Sequence, residues 1–565
     1  MSDTPTNVLH VLADYLHSIP DDHPVHISLR TYALSLSLSL GPALLPFLTS
    51  SKARSGGLKA LRNVLQRELG LASFASSMTV GVGGGAALKL FWDEWSERYA
   101  QQKSSSKESE SPLLRWWQKI AAWLASLDDV HRSFISNIIS SYLAIRLLQS
   151  RRRLSRSAPP RAPIPMTALT TSTPAKPSFT LDLTLLFAVR AVDCLVRSKL
   201  FPSPEDVRRD QRERVRKKRQ DITTKLDAFI FWASSARIMW CFFYRPEMLP
   251  RSYNKWIMSL ANVDPRILLI LRAFRVGDIS YIKGISNPPE LVTTFAQDLG
   301  FPKSWGDISL LPAYGGAAAT NAWKALGVSR DGLGGLPCEI VHGGISSNCT
   351  ANSGLRGIDA FSRALAIYVP VHILPILVTR PWKLLQTSQL ITTFRSILRS
   401  AGFLSTFVSS IWLAICMTRT LALARLFPGI SHDFWDGPYG CAFLGSLVCG
   451  SSIWIEEGKR RGEMALYVLP RAVRACIPLS WLKSGHKSVR TIERLVFVLS
   501  LATLLTANTH SQDALRGLSR WTLAFVMKGP NTGFWKRRRQ NTSVAPTPVE
   551  SGSPDQSPVS LPNTQ

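Results

Sequence analysis

The sequence predicts an all-α fold: a polytopic helical membrane protein built as two homologous halves of about four to five helices each. Three observations carry that expectation: long windows without a charge, an ordered internal repeat, and basic residues placed beside the apolar windows.

The windows Thr31–Ser51, Leu69–Leu88, Ser400–Thr418, Gly437–Ile455 and Leu495–Gln512 contain no charged residue. A helix rises about 1.5 Å per residue, so roughly 20 mostly apolar residues cross a hydrocarbon layer of about 30 Å. A large soluble protein can bury one such helix, whereas a set of them points to lipid.

The repeat is read by aligning RNVLQRELGLASFASSM, from Arg62, with RSILRSAGFLSTFVSSI, from Arg395. The two share Arg, Leu, Leu, Phe, Ser and Ser without a gap. FISNII at Phe134 then matches FLGSLV at Phe443, and AVRAV at Ala188 matches LPRAV at Leu469. Matches kept in order imply duplication. Helical segments are expected near 31–51, 69–91, 133–149, 180–196 and 227–245, with counterparts near 364–380, 400–427, 437–455, 462–477 and 490–510. The fourth segment is charged in both halves, with Asp182, Arg190 and Asp193 in one and Glu463, Arg471 and Arg474 in the other. Such charges are costly at mid-membrane, so this segment is expected at the interface or inside the bundle.

The domain plan follows: an N-terminal segment 1–29, a first helical half 30–275, a glycine-rich connecting segment 276–360, a second helical half 361–528, and a basic, Pro/Ser-rich tail 529–565. Linkers 101–130, 150–178 and 202–224 interrupt the first half. The linker at 150–178 and the tail are too polar to bury a core. The connecting segment has no period that assigns its structure.

The net charge of +29 raises nucleic acid as a partner. The basic residues lie beside apolar windows instead, and no zinc-finger spacing or RNA-reading aromatic motif accompanies them. Lys52, Arg54, Lys59, Arg62 and Arg67 follow the first window, and Arg380, Lys383, Arg395 and Arg399 occupy the matching place later. This is the pattern of positive flanks on membrane helices. The expected partners are therefore the bilayer and anionic lipid headgroups, not nucleic acid. The N-terminal MSDTPTNVLHVLADYL resembles neither a cleaved secretory signal nor a mitochondrial presequence, so insertion is expected to rely on internal spans.

No phosphate-cradling loop, nucleophile elbow, HExxH or acyl-transfer motif is present, and the expectation is a protein that is not an enzyme and carries no cofactor. Ser73, Ser77, Gly81 and Gly85 form a small-residue ladder, aligned with Thr406, Ser410, Ala414 and Thr418. Four-residue spacing puts each set on one helix face, where small side chains let backbones approach. Ordinary close packing accounts for the ladders; the wall of a lipid or solute path is the sharper reading. Lys89, Arg237 and Arg419 lie inside apolar segments, and an intramembrane cation implies an anionic partner or water. Lys89 also reads as a residue snorkelling from a helix end. Cys338, His342 and Cys349, with His372 further on, are weak candidates for a metal. Three ligands at loose spacing fall short of the four of a structural zinc site, so no metal is assigned; a packed loop or a Cys338–Cys349 redox pair are the alternatives.

Several of these elements resemble the transmembrane protein 135 family. They are Cys338-Glu339 with His342 and Cys349, SAGFLSTFVSSIW from Ser400, IEEGKRRGEMALYVLPRA from Ile455 and RPEMLPRSYNKWI from Arg245. The resemblance covers most of 30–530. It implies a peroxisomal or mitochondrial membrane location, a role in organelle organisation and lipid homeostasis, and organelle-division or lipid-handling proteins as partners. A transporter or channel for a lipid or anionic solute is the alternative that the residues themselves leave open.

Overall fold

The structure is a computed structural model that describes residues 18–49, 57–103, 112–155, 178, 180–200, 209–328, 330–379, 381–382, 386–483 and 487–529. Residues 104–111, 156–177 and 202–208 of the three expected linkers, the tail from 530, and Lys52, Arg54, Arg380 and Lys383 lie outside the described residues. The described parts of the linkers at 101–130 and 202–224 instead hold a helix, Pro112–Ala125, and the start of another, Arg209–Tyr244. The described residues are all-α apart from one hairpin of two-residue strands. Among the described residues four stretches, Gly57–Gln101, Gln220–Tyr244, Cys349–Leu374 and Thr387–Leu426, are long and apolar enough to cross a membrane.

Contacts group the chain into two compact units, Met1–Arg151 with Leu505–Gln565, and Arg152–Leu504. This division departs from the expected halves at 30–275 and 361–528. Its origin is visible in the last helix of the first half, whose packing partners lie in the second half.

The first unit holds α1 (Pro24–Thr49), α2 (Gly57–Leu69), α3 (Phe74–Lys103), α4 (Pro112–Ala125) and α5 (Asp129–Ser155). Gly83 of α3 lies so close to Ser28 of α1 that a Cβ there would fall 3.0 Å from the Ser28 Cβ. Ser140 of α5 donates to the Gly81 carbonyl at 2.8 Å, so small residues allow α3 and α5 to meet backbone to side chain. Gly70 interrupts the repeat segment here: α2 ends at Leu69 and α3 begins at Phe74. The aligned segment of the second half, with Phe403 in place of Gly70, stays in one helix, in keeping with the low helix propensity of glycine.

The second unit runs through α6 (Leu181–Leu200), α7 (Arg209–Tyr244), α8 (Arg251–Ala261), α9 (Pro265–Val276), the hairpin β1 (Ile279–Ser280) and β2 (Ile285–Ser286), α10 (Glu290–Asp298), α11 (Ala317–Ala325) and α12 (Cys338–Val341). It continues with α13 (Cys349–Thr379), α14 (Thr387–Cys416), α15 (Leu423–Leu426), α16 (His432–Trp435), α17 (Cys441–Cys449), α18 (Gly458–Cys476), α19 (Leu479–Lys483) and most of α20 (Lys487–His510). The final helix, α21 (Gly517–Lys528), belongs to the first unit.

Helices α13 and α14 pack antiparallel through small polar residues. Ser353 donates to the Ser409 carbonyl at 2.8 Å and Ser405 to the Gly357 carbonyl at 2.7 Å. Further along α13, Val369, Val371, Leu374 and Leu377 are exposed. Arg395 and Arg399, expected in a loop, lie on α14 because that helix already starts at Thr387; Arg399 pairs with Glu457 at 2.7 Å. α7 packs against α17 and α18, with Gly450 against the Trp232 backbone and the Cys241 thiol facing the Ala475 carbonyl.

The connecting segment is a folded lobe. Tyr281, Val292, Phe295, Ile308, Trp323, Leu336 and Ile340 enter the same buried core as α7 and α14. Its short elements are fixed by local chemistry: Asp264 caps α9 by accepting from the Arg266 amide at 2.8 Å, and Gly277 ends it at φ +89°. Gly306 admits the Val292–Thr293 backbone where a Cβ would sit 2.5 Å from the Val292 oxygen.

Candidate functional site

An apolar cavity of about 370 Å³ opens inside the second unit, between α7, α8, α14 and α18. Phe231, Ile238 and Phe242 come from α7, and Phe407, Val408 and Ile411 from α14. The sequence builds it in a simple way. Residues spaced three or four apart along α7 and α14 turn one apolar stripe to a common space, and the aromatic rings hold the walls apart. Its size lies within the range of small-molecule sites, of order 300–1,000 Å³.

The cavity is continuous in its lining with a more polar vestibule. Tyr253, Trp256 and Tyr467 line both, and the vestibule adds Asp182, Ser252, Pro470 and Arg471. The Arg471 guanidinium lies over the Tyr467 ring at 4.0 Å and the Tyr253 ring at 5.1 Å. Burial pushes the Tyr253 hydroxyl up to about 12, so it stays a neutral donor at physiological pH. Glu463, the carboxylate of the cavity wall, is paired with Arg190 at 3.2 Å. An amphiphile thus meets hydrocarbon-like walls at one end and a cation with tyrosine hydroxyls at the other.

Beneath this cavity lies a buried polar knot. α14 ends at Cys416 in a π-helical turn, Met417–Leu421, which carries Arg419 inward. Arg419 donates to both carboxylate oxygens of Asp436 at 2.8 Å and to the Leu336 carbonyl at 3.0 Å. The Tyr281 hydroxyl donates to Asp436 at 2.8 Å. Burial alone would raise the Asp436 carboxyl, but the guanidinium holds it below the usual carboxylate range. Burial and the Asp436 charge push Tyr281 well above its ordinary value. His432, next to the pair, is pushed down to about 4 by burial and is neutral. Asp433 closes the hairpin, accepting from the Tyr281 amide and the Ser280 hydroxyl, both at 2.7 Å.

The three cations singled out in the sequence are all engaged. Lys89 pairs with Asp129 at 2.9 Å in the first unit. Arg237 donates to the Ala475 carbonyl at 2.7 Å and stacks on Trp240 at 5.1 Å. Arg419 is locked by Asp436. None of the three lines the apolar cavity. Of the ladders, Ser73 and Ser77 are buried, and Gly81 and Gly85 lie against Ser140 and Asn137 of α5. Ala414 and Thr418 are buried, Ser410 is half-buried and Thr406 is exposed, so the second ladder does not form one contact face.

Cys338, His342 and Cys349 are brought together, their ligand atoms lying within 4.8 Å of one another, and all are buried. His372 is elsewhere: its ring bonds the Tyr368 carbonyl at 2.8 Å and Arg460 at 2.7 Å. Burial and the hydrogen bond to Cys349 raise the Cys338 thiol, the hydrogen bond being the larger cause. Sequence reasoning missed two members of these clusters. Asp436 reads as a loop charge, and Cys416, at the end of an uncharged run, reads as a span residue; the chain separation hides both.

Among the described residues the fold is all-α, with four stretches long and apolar enough to cross a membrane and an apolar cavity that shares lining residues with a more polar vestibule. Compared with known families, curated proteins and solved structures, the chain matches none.

Proposed function

We propose that the chain is a non-enzymatic integral membrane protein that binds an amphipathic lipid, one acyl chain in the apolar cavity and an anionic head at Arg471. The observation that carries this reading is the shared lining of cavity and vestibule by Tyr253, Trp256 and Tyr467. The exposed apolar residues in the later turns of α13 support a lipid environment for the second unit. The resemblance to the transmembrane protein 135 family adds the place: a peroxisomal or mitochondrial membrane, in organelle organisation and lipid homeostasis. Moving the lipid is a natural extension. Transport of a small anion by Arg419 or Arg237 has less support, because protein acceptors already hold both.

The test uses full-length protein in mild detergent, a diazirine fatty acid, and peptide mapping of the cross-links. Labels are expected on α7 and α14, lost in Val408→Trp, which fills the cavity. Arg471→Glu is expected to weaken competition by a fatty acid but not by the corresponding alcohol. Labelling confined to exposed α13 residues and indifferent to Val408→Trp would overturn the lipid reading. Carbonate-resistant signal of the tagged chain on peroxisomes or mitochondria supports the organelle assignment, and exclusive signal on other membranes removes it.

A further inference from the structure

We propose that Cys338, His342, Cys349 and Cys416 form a closed Cys3His site for a structural zinc ion. Three chain segments meet there: the short helix α12 with the residue after it, the first residue of α13, and the last residue of α14. Cys338 and His342 are one helical turn apart, so they face the same way. Cys349 opens α13, with its sulfur 3.9 Å from that of Cys338. Cys416 sits where α14 gives way to the π-helical turn, its sulfur 3.2 Å from His342 Nε2. The four are 6%, 0%, 7% and 1% exposed.

Two edges of the cluster, Cys338–Cys349 at 3.9 Å and His342–Cys416 at 3.2 Å, are close to those of a tetrahedral ion, and Cys338, His342 and Cys349 lie within 4.8 Å of one another. Zinc–sulfur bonds of about 2.3 Å and zinc–nitrogen bonds of about 2.0–2.1 Å imply sulfur–sulfur edges of about 3.8 Å and sulfur–nitrogen edges of about 3.5 Å. A disulfide would need about 2.05 Å between sulfurs, so Cys338 and Cys349 stand at ligand spacing.

The surroundings fix the histidine as a ligand would need. His342 Nδ1 lies 2.6 Å from the Ser346 carbonyl, which can only accept, so Nδ1 carries the proton and Nε2 turns its lone pair to the thiols. The Thr420 hydroxyl lies 2.7 Å from the Cys338 sulfur, in place to donate to a thiolate. Three thiolates and one zinc leave a net charge of about −1. Arg356, itself 5% exposed, stands beside it: its guanidinium donates to the His342 carbonyl at 2.8 Å and acts electrostatically on Cys416. With four protein ligands no position is left for substrate water, so the ion is structural. It would tie the connecting lobe to the α13–α14 pair, and each cysteine would lose its proton on binding.

The experiment is metal analysis of full-length protein purified without added metal, with zinc per chain read by mass spectrometry. About one zinc per chain is expected, falling at least tenfold in Cys349→Ser and Cys416→Ser. Cys194→Ser, a buried cysteine outside the cluster, keeps the full amount. Because a ligand variant can fail to fold, the wild-type chain is also exchanged with cobalt. Intense thiolate-to-cobalt charge-transfer absorption with tetrahedral ligand-field bands supports the site. Wild-type zinc content no higher than in Cys416→Ser, octahedral cobalt bands, or a Cys338–Cys349 disulfide in unreduced peptides overturns it.

Discussion

Replacing Asp436 with asparagine tests whether the polar knot is a paired charge that holds the lobe on α14. The carboxylate accepts two hydrogen bonds from Arg419 and one from Tyr281, and Arg419 is 1% exposed. The substitution leaves the guanidinium with the Leu336 carbonyl and one amide oxygen. At an effective dielectric of about 20, opposite charges about 4 Å apart attract by about 4 kcal/mol. Stranding one partner of a buried pair costs about 3–5 kcal/mol. With an unfolding entropy of roughly 2 cal/mol/K per residue over a unit of about 350 residues, Tm should fall by about 4–7 °C. The assay is thermal unfolding of detergent-purified protein followed by tryptophan fluorescence. Asp436→Leu alone should be at least as damaging, and adding Arg419→Met should recover most of the loss, since no charge is then left unpaired. A residue of about 1–2 kcal/mol should persist from the stranded Tyr281 hydroxyl. A cost below about 1 kcal/mol for Asp436→Asn, or no recovery in the double variant, would show that the pair does not hold this region.

His432 gives a pH signature. Its folded-state value near 4 lies below the ordinary 6.5, so between those values the unfolded chain binds a proton that the folded chain does not. Stability from this group is complete above about pH 6.5 and declines as pH falls to 4, by at most about 3 kcal/mol. Unfolding midpoints between pH 7.5 and 4.5 should show the decline, and His432→Phe should flatten it; an unchanged slope in that variant rejects the assignment. Two glycines should respond in opposite directions. A Cβ on Gly450 would lie 2.8 Å from Trp232 Cα, whereas one on Gly402, within α14, meets nothing within 4 Å. Gly450→Ala should cost about 1–3 kcal/mol, and Gly402→Ala should stabilise by about 0.5–1 kcal/mol. Equal effects in the same assay would mean that α7 and α17 are not packed this closely.

The long helices were legible because their apolar runs exceed what a short element needs. α14 and α7 overlap the expected segments at 400–427 and 227–245, and α7 ends at Tyr244 as expected, but the helices start earlier, at Thr387 and Arg209. The lobe between 276 and 345 was not legible. Its elements are held by partners far along the chain, such as Asp433 on the Tyr281 amide and Asp436 on the Tyr281 hydroxyl. No local period can encode such pairings. The cavity was hidden for a related reason. Phe242, Val408 and Tyr467 each read as ordinary helix residues, and only the approach of α7, α14 and α18 makes them a common wall.

The charged fourth segments show how a cost visible in sequence is resolved in space. Aligning AVRAV at Ala188 with LPRAV at Leu469 sets Asp182 opposite Glu463 and Arg190 opposite Arg471. In the structure the acid early in each segment bonds a basic residue later in the other: Arg474 donates to Asp182, and Arg190 to Glu463. Two like helices, α6 and α18, thus pack antiparallel and neutralise each other reciprocally, as a two-fold contact between equivalent surfaces does. Lipid need not accommodate these charges, because each stays with its partner inside the second unit. One basic residue is left over by this pairing. Arg471, the counterpart of Arg190, has no acid in its own pair and lies instead against Tyr253 and Tyr467 at the vestibule. The same geometry that neutralises the two segments therefore leaves a cation at the mouth of the apolar cavity, where an anionic head would complete the set.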